Sequence, residues 1–161
     1  MKDIKIIIAT HKQHLMPSDD MYLPLHVGKS GKEELGYQGD DTGDNISDKN
    51  PNFCELTGLY WAWKNLPNDY LGLIHYRRFF SVKSRAERKK NLLETLYLTH
   101  EEASQLLSQY DVIVPSKRNY YIETLYSHYA NTLHAEHLDV TREIIAEKCG
   151  EFLDSFDSVM K

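Results

Sequence analysis

Tyr70-Leu71-Gly72-Leu73-Ile74-His75-Tyr76-Arg77-Arg78-Phe79-Phe80 begins apolar and turns abruptly basic. A short apolar run bounded by polar residues reads as a buried strand, and here charge arrives where that strand would end. Upstream, Phe53, Leu56, Tyr60 and Trp63 recur at spacings of three and four, which predicts a helix over residues 52–65 with one apolar face. Asn52 can cap it, and Pro67 lies just past its end. A helix leading into a buried strand is one half of an α/β unit.

The same pattern recurs along the chain. Residues 4–9 form a β-branched run stopped by Thr10-His11-Lys12, and a second strand is expected at 22–27, ended by Gly28. Thr99 and Glu102 form a capping box for a helix to about residue 110, which leads into a fourth expected strand, short and buried, at 111–115. From residue 122 onward the pattern is helical, while 84–91 is a basic, solvated stretch. Strands separated by helices predict an α/β fold with a mostly parallel sheet and right-handed connections. The 161 residues are expected to form a single domain.

Composition removes several classes. Hydrophobic residues are 41% and charged residues 27%, which is globular rather than disordered. Acidic side chains outnumber basic ones, 24 to 19, so the basic footprint of a nucleic-acid binder is missing. The apolar start is too short for a signal peptide, and no run approaches a membrane span. A soluble chain made in the cytosol is expected. Cys54 and Cys149 have no ligand partners nearby in sequence and read as reduced, packed thiols. Eleven tyrosines offer flat faces suited to sugars and bases, although packing accounts for most of them.

Ligands of open α/β sheets bind outside the carboxyl ends of the strands. Three cationic groups fall at such ends: Thr10-His11-Lys12, His75-Tyr76-Arg77-Arg78 and Ser116-Lys117-Arg118. Converging cations suit a phosphate or diphosphate, since Arg forms bidentate hydrogen bonds to phosphate oxygens. The bland alternative is that Arg77 and Arg78 pair with surface carboxylates. The polar loop over 36–51 has its glycine in the wrong place for an EF-hand. It reads either as a solvated turn or as a set of acceptors, Asp41, Asn45 and Asn50 among them, that hold ribose or sugar hydroxyls, with Lys49 adding charge. Phosphate-loop, dinucleotide-binding and serine-elbow motifs are missing. His134, His137 and Asp139 could ligate a metal from one helix face, but solvated histidines are commoner in such a spacing.

Beyond these single motifs, IIIATHK (6–12), MYLPLHVG (21–28), DDTGDNISDKNPNFCELTGLYWAWKN (40–65) and YLGLIHYRRFF (70–80) resemble a bacterial domain family. Its members are assigned to capsular polysaccharide or exopolysaccharide synthesis as glycosyltransferases. The likeness spans essentially the whole chain and implies an N-terminal portion, a domain truncated at its C-terminus. It also implies a GT-A-like, Rossmann-like sheet and transfer of a hexose from a nucleotide-diphosphate sugar, UDP-linked by family. The acceptor would be a growing polysaccharide or lipid-linked oligosaccharide, handled in the cytoplasm at or near the inner membrane face.

In GT-A sequences a loop ending in Arg-Asn precedes a helix and then a strand ending in Asp-x-Asp, which holds a metal on the donor diphosphate. Here Lys49-Asn50, the 52–65 helix and the 71–74 strand keep that order, but His75-Tyr76-Arg77-Arg78 stands in place of Asp-x-Asp. A divalent metal is therefore not expected, and no other cofactor is implied. Preorganised cations can stabilise a leaving diphosphate as a metal does. The catalytic assignment falls on Arg77, Arg78 and His75. Donor binding falls on Thr10, His11, Lys12, Asp41, Asn45, Lys49, Asn50 and Tyr76. Two other readings stay open: a catalytically incomplete carbohydrate- or nucleotide-binding module, and a hydrolase using metal held by the histidines.

Overall fold

Four isoleucines and a threonine make Ile4–Thr10 the strand around which the sheet is laid, β1. The computed structural model describes residues 3–84, 86–87 and 96–161. It divides into two compact units, Met1–Pro115 and Ser116–Lys161. In the first, β1 pairs with β2 (Tyr22–His26) on one side and β4 (Tyr70–His75) on the other, and β3 (Gln38–Gly39) extends the sheet past β2. Every pairing is parallel. The chain steps outward from β1 to β3 and then returns to the opposite side of β1. That reversal places a topological switch between the carboxyl ends of β1 and β4.

Side-chain alternation divides the two faces. Ile4, Ile6 and Ile8 join Tyr22, Ile74 and Tyr76 on one face, covered by Tyr97, Leu98 and helix α3 (His100–Leu107). The expected Thr99–Glu102 capping box starts that helix. Ile7, Ala9, Leu25 and Val27 form the other face, under Trp61 and Ala62 of helix α2 (Leu56–Asn65).

The single helix expected over 52–65 is two pieces, α1 (Asn50–Phe53) and α2, broken at Cys54, whose φ is 48°. The buried face is also not the expected one. Thr57, Gly58, Trp61 and Ala62 turn inward, while Phe53, Leu56 and Trp63 are exposed. Packing decides this. A Cβ at Gly58 would press into Val27 and Leu25, so the helix approaches the sheet through its smallest side chains. Trp63 instead lies under the Lys64 ammonium, 3.8 Å from the ring centroid.

Residues 111–115 form no strand. Val112 and Val114 are exposed, and the segment has no ladder partner among the described residues. A β-branched run supplies propensity but not a neighbour. Of the basic stretch at 84–91, residues 85 and 88–91 lie outside the described residues. The second unit is helical as expected: α4 (Leu125–Thr132), α5 (Ala135–Lys148) and α6 (Leu153–Met160), with Arg142 bidentate to Asp157. No described helix is long and apolar enough to cross a membrane.

The loops of the first unit close on Asp40. Its carboxylate is fully buried and accepts from the backbone N–H groups of Gly28 (2.8 Å) and Lys29 (3.0 Å). It also accepts from the hydroxyls of Ser47 and Thr57 (2.6 Å). Replacing Asp40 by Ala leaves four buried donors without their acceptor. We expect a loss of about 3–5 kcal/mol in chemical denaturation. Asp40→Asn should also destabilise, because its amide would turn a donor toward donors. An Asp40→Ala chain as stable as the parent would contradict this assignment.

Candidate functional site

The carboxyl end of β4 turns tightly. The Arg78 N–H donates to the His75 carbonyl at 2.8 Å, and the Arg77 N–H reaches His75 Nδ1 at 3.3 Å. An imidazole nitrogen that accepts carries no proton, so neutral His75 keeps its proton on Nε2. Burial pushes the His75 pKa below its usual value of 6.5; Arg77 adds to this, and Glu55 opposes it. The ring is thus held neutral, as a hydrogen-bond donor at Nε2.

His75 opens onto a cleft of about 440 Å³ outside the strand ends. Ala9 and Val27 line its apolar part, His11 and Lys32 add nitrogen groups, and Asn50, Cys54 and Glu55 complete the lining. Position in the sheet accounts for this grouping. Ala9 and His75 are register partners, and both lie on the α2 side of the sheet with Val27.

Tyr76 is buried, so its ring organises the site rather than facing a ligand. The His75 ring packs on it at a tilt, 4.2 Å between centroids, and the rings of His11 and His14 pack at 5.4 and 5.3 Å. Lys12 Nζ and the Arg77 guanidinium lie 5.1 and 5.2 Å from the same centroid. One phenol ring therefore gathers the cations that follow β1 with those that follow β4. Arg77 and Arg78 are exposed and, among the described residues, neither pairs with a carboxylate.

The other sequence-derived residues separate. Thr10 is buried, and its hydroxyl donates to the Lys12 carbonyl at 2.6 Å, shaping the turn rather than meeting a ligand. Asn45 is committed to its own loop through Gly43 and Ser47. Asp41 lies 3.9 Å from Lys29, which also pairs with Glu34. Lys49 is exposed, on a 3-10 turn outside the cleft lining. His11, Asn50 and His75 do come together. Lys117 and Arg118 belong to the second unit and follow no strand. In that unit Tyr126 hydrogen-bonds Asp139, and Tyr129 engages His137 Nδ1. No three metal-binding side chains cluster among the described residues.

Sequence reasoning missed Lys32, Cys54, Glu55 and Asp40. Cys54 is exposed at the cleft, not packed, and both cysteines are free. A cysteine with positive φ between two helices was the detectable oddity, yet its backbone angle has no sequence signature. Asp40 cannot be told from Asp41 by type or spacing.

A family model described as a domain of unknown function, DUF4422, matches residues 5–161. No curated protein matches the chain. Among solved structures, the apo WbbM bifunctional glycosyltransferase superposes with a TM-score of 0.78 at 28% identity, over 98% of this chain and 31% of that one. The chain therefore spans less than a third of that enzyme's length. The α/β architecture with a mostly parallel sheet is the one expected from sequence.

His75 and His26 both have pKa values lowered chiefly by burial, so the folded chain resists protons that the unfolded chain accepts. Unfolded-state proton uptake then exceeds native uptake, and stability declines as pH falls from about 6.5. NMR titration should place the His75 midpoint below 6.5. A midpoint at or above that value would contradict the described ring environment.

Proposed function

The chain belongs to the DUF4422 family, and from that premise we propose that it forms the donor site of a glycosyltransferase. The donor is a nucleotide-diphosphate sugar, UDP-linked, and the acceptor a growing capsular or exopolysaccharide or a lipid-linked oligosaccharide. The work is done in the bacterial cytoplasm, with peripheral contact at the inner membrane face. The observation that carries this reading is that Lys12 and Arg77, which pair with no carboxylate among the described residues, meet on the Tyr76 ring, which also packs on the cleft residues His11 and His75. Kinship with a glycosyltransferase of like fold supports it.

Transfer forms a bond from the anomeric carbon to an acceptor hydroxyl oxygen, whose proton passes to a general base. It breaks the bond between that carbon and the diphosphate oxygen, which keeps the electron pair. The site must hold that growing negative charge. Arg77 and Arg78 supply fixed positive charge and paired N–H donors, and His75 adds a neutral donor at Nε2. Lys12, held over the Tyr76 ring, completes the set. These groups do the work that a metal on Asp-x-Asp does elsewhere, so activity is independent of divalent ions. Because the chain spans 31% of the neighbouring enzyme, a second reading has support: a donor-binding module whose turnover needs residues outside this chain. Turnover, not binding, separates the two.

Calorimetric titration with UDP should show binding that survives EDTA and is lost in Arg77→Ala. Where turnover is measurable, that substitution should slow it by about 10²- to 10³-fold. Binding restored only by a divalent ion would overturn the metal-free arrangement, and no binding under either condition would overturn the donor-site assignment.

A further inference from the structure

The cleft lining offers both hydrogen-bond acceptors and donors. The Asn50 amide donates to the Cys54 carbonyl at 2.7 Å and to Thr57 Oγ1 at 3.1 Å. A carbonyl can only accept, so the nitrogen end of the amide is fixed and both its hydrogens are in use. Thr57 can accept because its own proton is turned to Asp40. Asn50 therefore has only Oδ1 left for a ligand. Beside it, Glu55 is half-buried and makes no side-chain hydrogen bond or ion pair among the described residues. Its charge is felt at His75. Asn50 and Glu55 therefore accept, and Glu55 carries negative charge. Elsewhere in the cleft lining, Lys32 and His75 Nε2 donate.

A ligand matching this lining carries both hydroxyl donors and anionic oxygens, as a glycosyl phosphate does. We infer that Glu55 and Asn50 bind hydroxyls of the transferred sugar and select a neutral hexose over a hexuronic acid. This rests on the donor-site reading above. Sugar hydroxyls donate to the carboxylate in charge-assisted bonds, which are stronger than neutral ones. A uronate carboxylate would bring a second negative charge to Glu55 with no proton to share, and such repulsion discriminates as effectively as attraction. In sequence, Glu55 falls inside the helix expected over residues 52–65 and carries no signal of its own. The break at Cys54 and the Asp40–Thr57–Asn50 chain of hydrogen bonds make it a wall residue.

Glu55→Gln keeps the shape and removes the charge without breaking a side-chain hydrogen bond or ion pair among the described residues. Binding of UDP, UDP-glucose and UDP-glucuronate should be compared by calorimetry for the parent chain, Glu55→Gln and Glu55→Lys, with thermal melts confirming folding. We expect the parent to prefer the glucose conjugate by about tenfold or more, on the scale of a like-charge penalty. The preference, read as the ratio of the two sugar conjugates' affinities, should collapse in Glu55→Gln and reverse in Glu55→Lys. UDP binding without sugar discrimination, or discrimination untouched in Glu55→Gln, would overturn this inference and leave the donor site standing. Failure of the parent to bind UDP would overturn both.

Discussion

The buried Asp40 carboxylate ties together four stretches of chain: the turn after β2, its own position after β3, the 3-10 turn at Ser47 and helix α2 at Thr57. Buried carboxylates are tolerated only when their lone pairs are satisfied, and here four donors do so. The consequences reach the cleft directly. Gly28 adopts φ +61° at that turn, and a Cβ there would collide with the Asn50 side chain. Asn50 can sit so close only because position 28 is glycine, and Thr57 then fixes its amide. The cleft's acceptor wall is thus built from the loop network outward, not from the sheet.

The cationic side is built differently. The reversal of strand order at β1 brings residues 10–12 and 75–78 to one end of the sheet. Their charges repel one another and find no carboxylates among the described residues, which costs stability. Tyr76 offsets part of that cost by presenting its ring to Lys12 and Arg77. Uncompensated charge retained at a strand-end cleft is the local inconsistency expected where function overrides stability. It is also what a preorganised anion site requires, because donors already in place need no reorganisation as negative charge develops.

Much of this was legible in sequence wherever the signal was local. The runs that became β1, β2 and β4, the Thr99 capping box and the basic residues after Ile74 all announce themselves within a few residues. What was not legible depended on partners distant in sequence. The inward face of α2 was misread because Phe53, Leu56 and Trp63 outweigh Gly58 and Ala62 in hydrophobicity, whereas closeness to Leu25 and Val27 favours the small residues. The two-residue β3 is too short for any period to show. Residues 111–115 carried propensity without a neighbour. Asp40 differs from Asp41 only in what surrounds it, and Glu55 becomes a cleft residue only once Cys54 breaks the helix.

The central claim is that an anionic nucleotide binds at the carboxyl ends of β1 and β4. Mapping backbone amide shifts of the isotope-labelled chain during titration with UDP tests it most directly. The account predicts saturable shifts concentrated at residues 10–12, 28–32, 50–55 and 75–78, with the amides of residues 116–161 little changed. Saturable shifts confined to 116–161, or none anywhere, would contradict it.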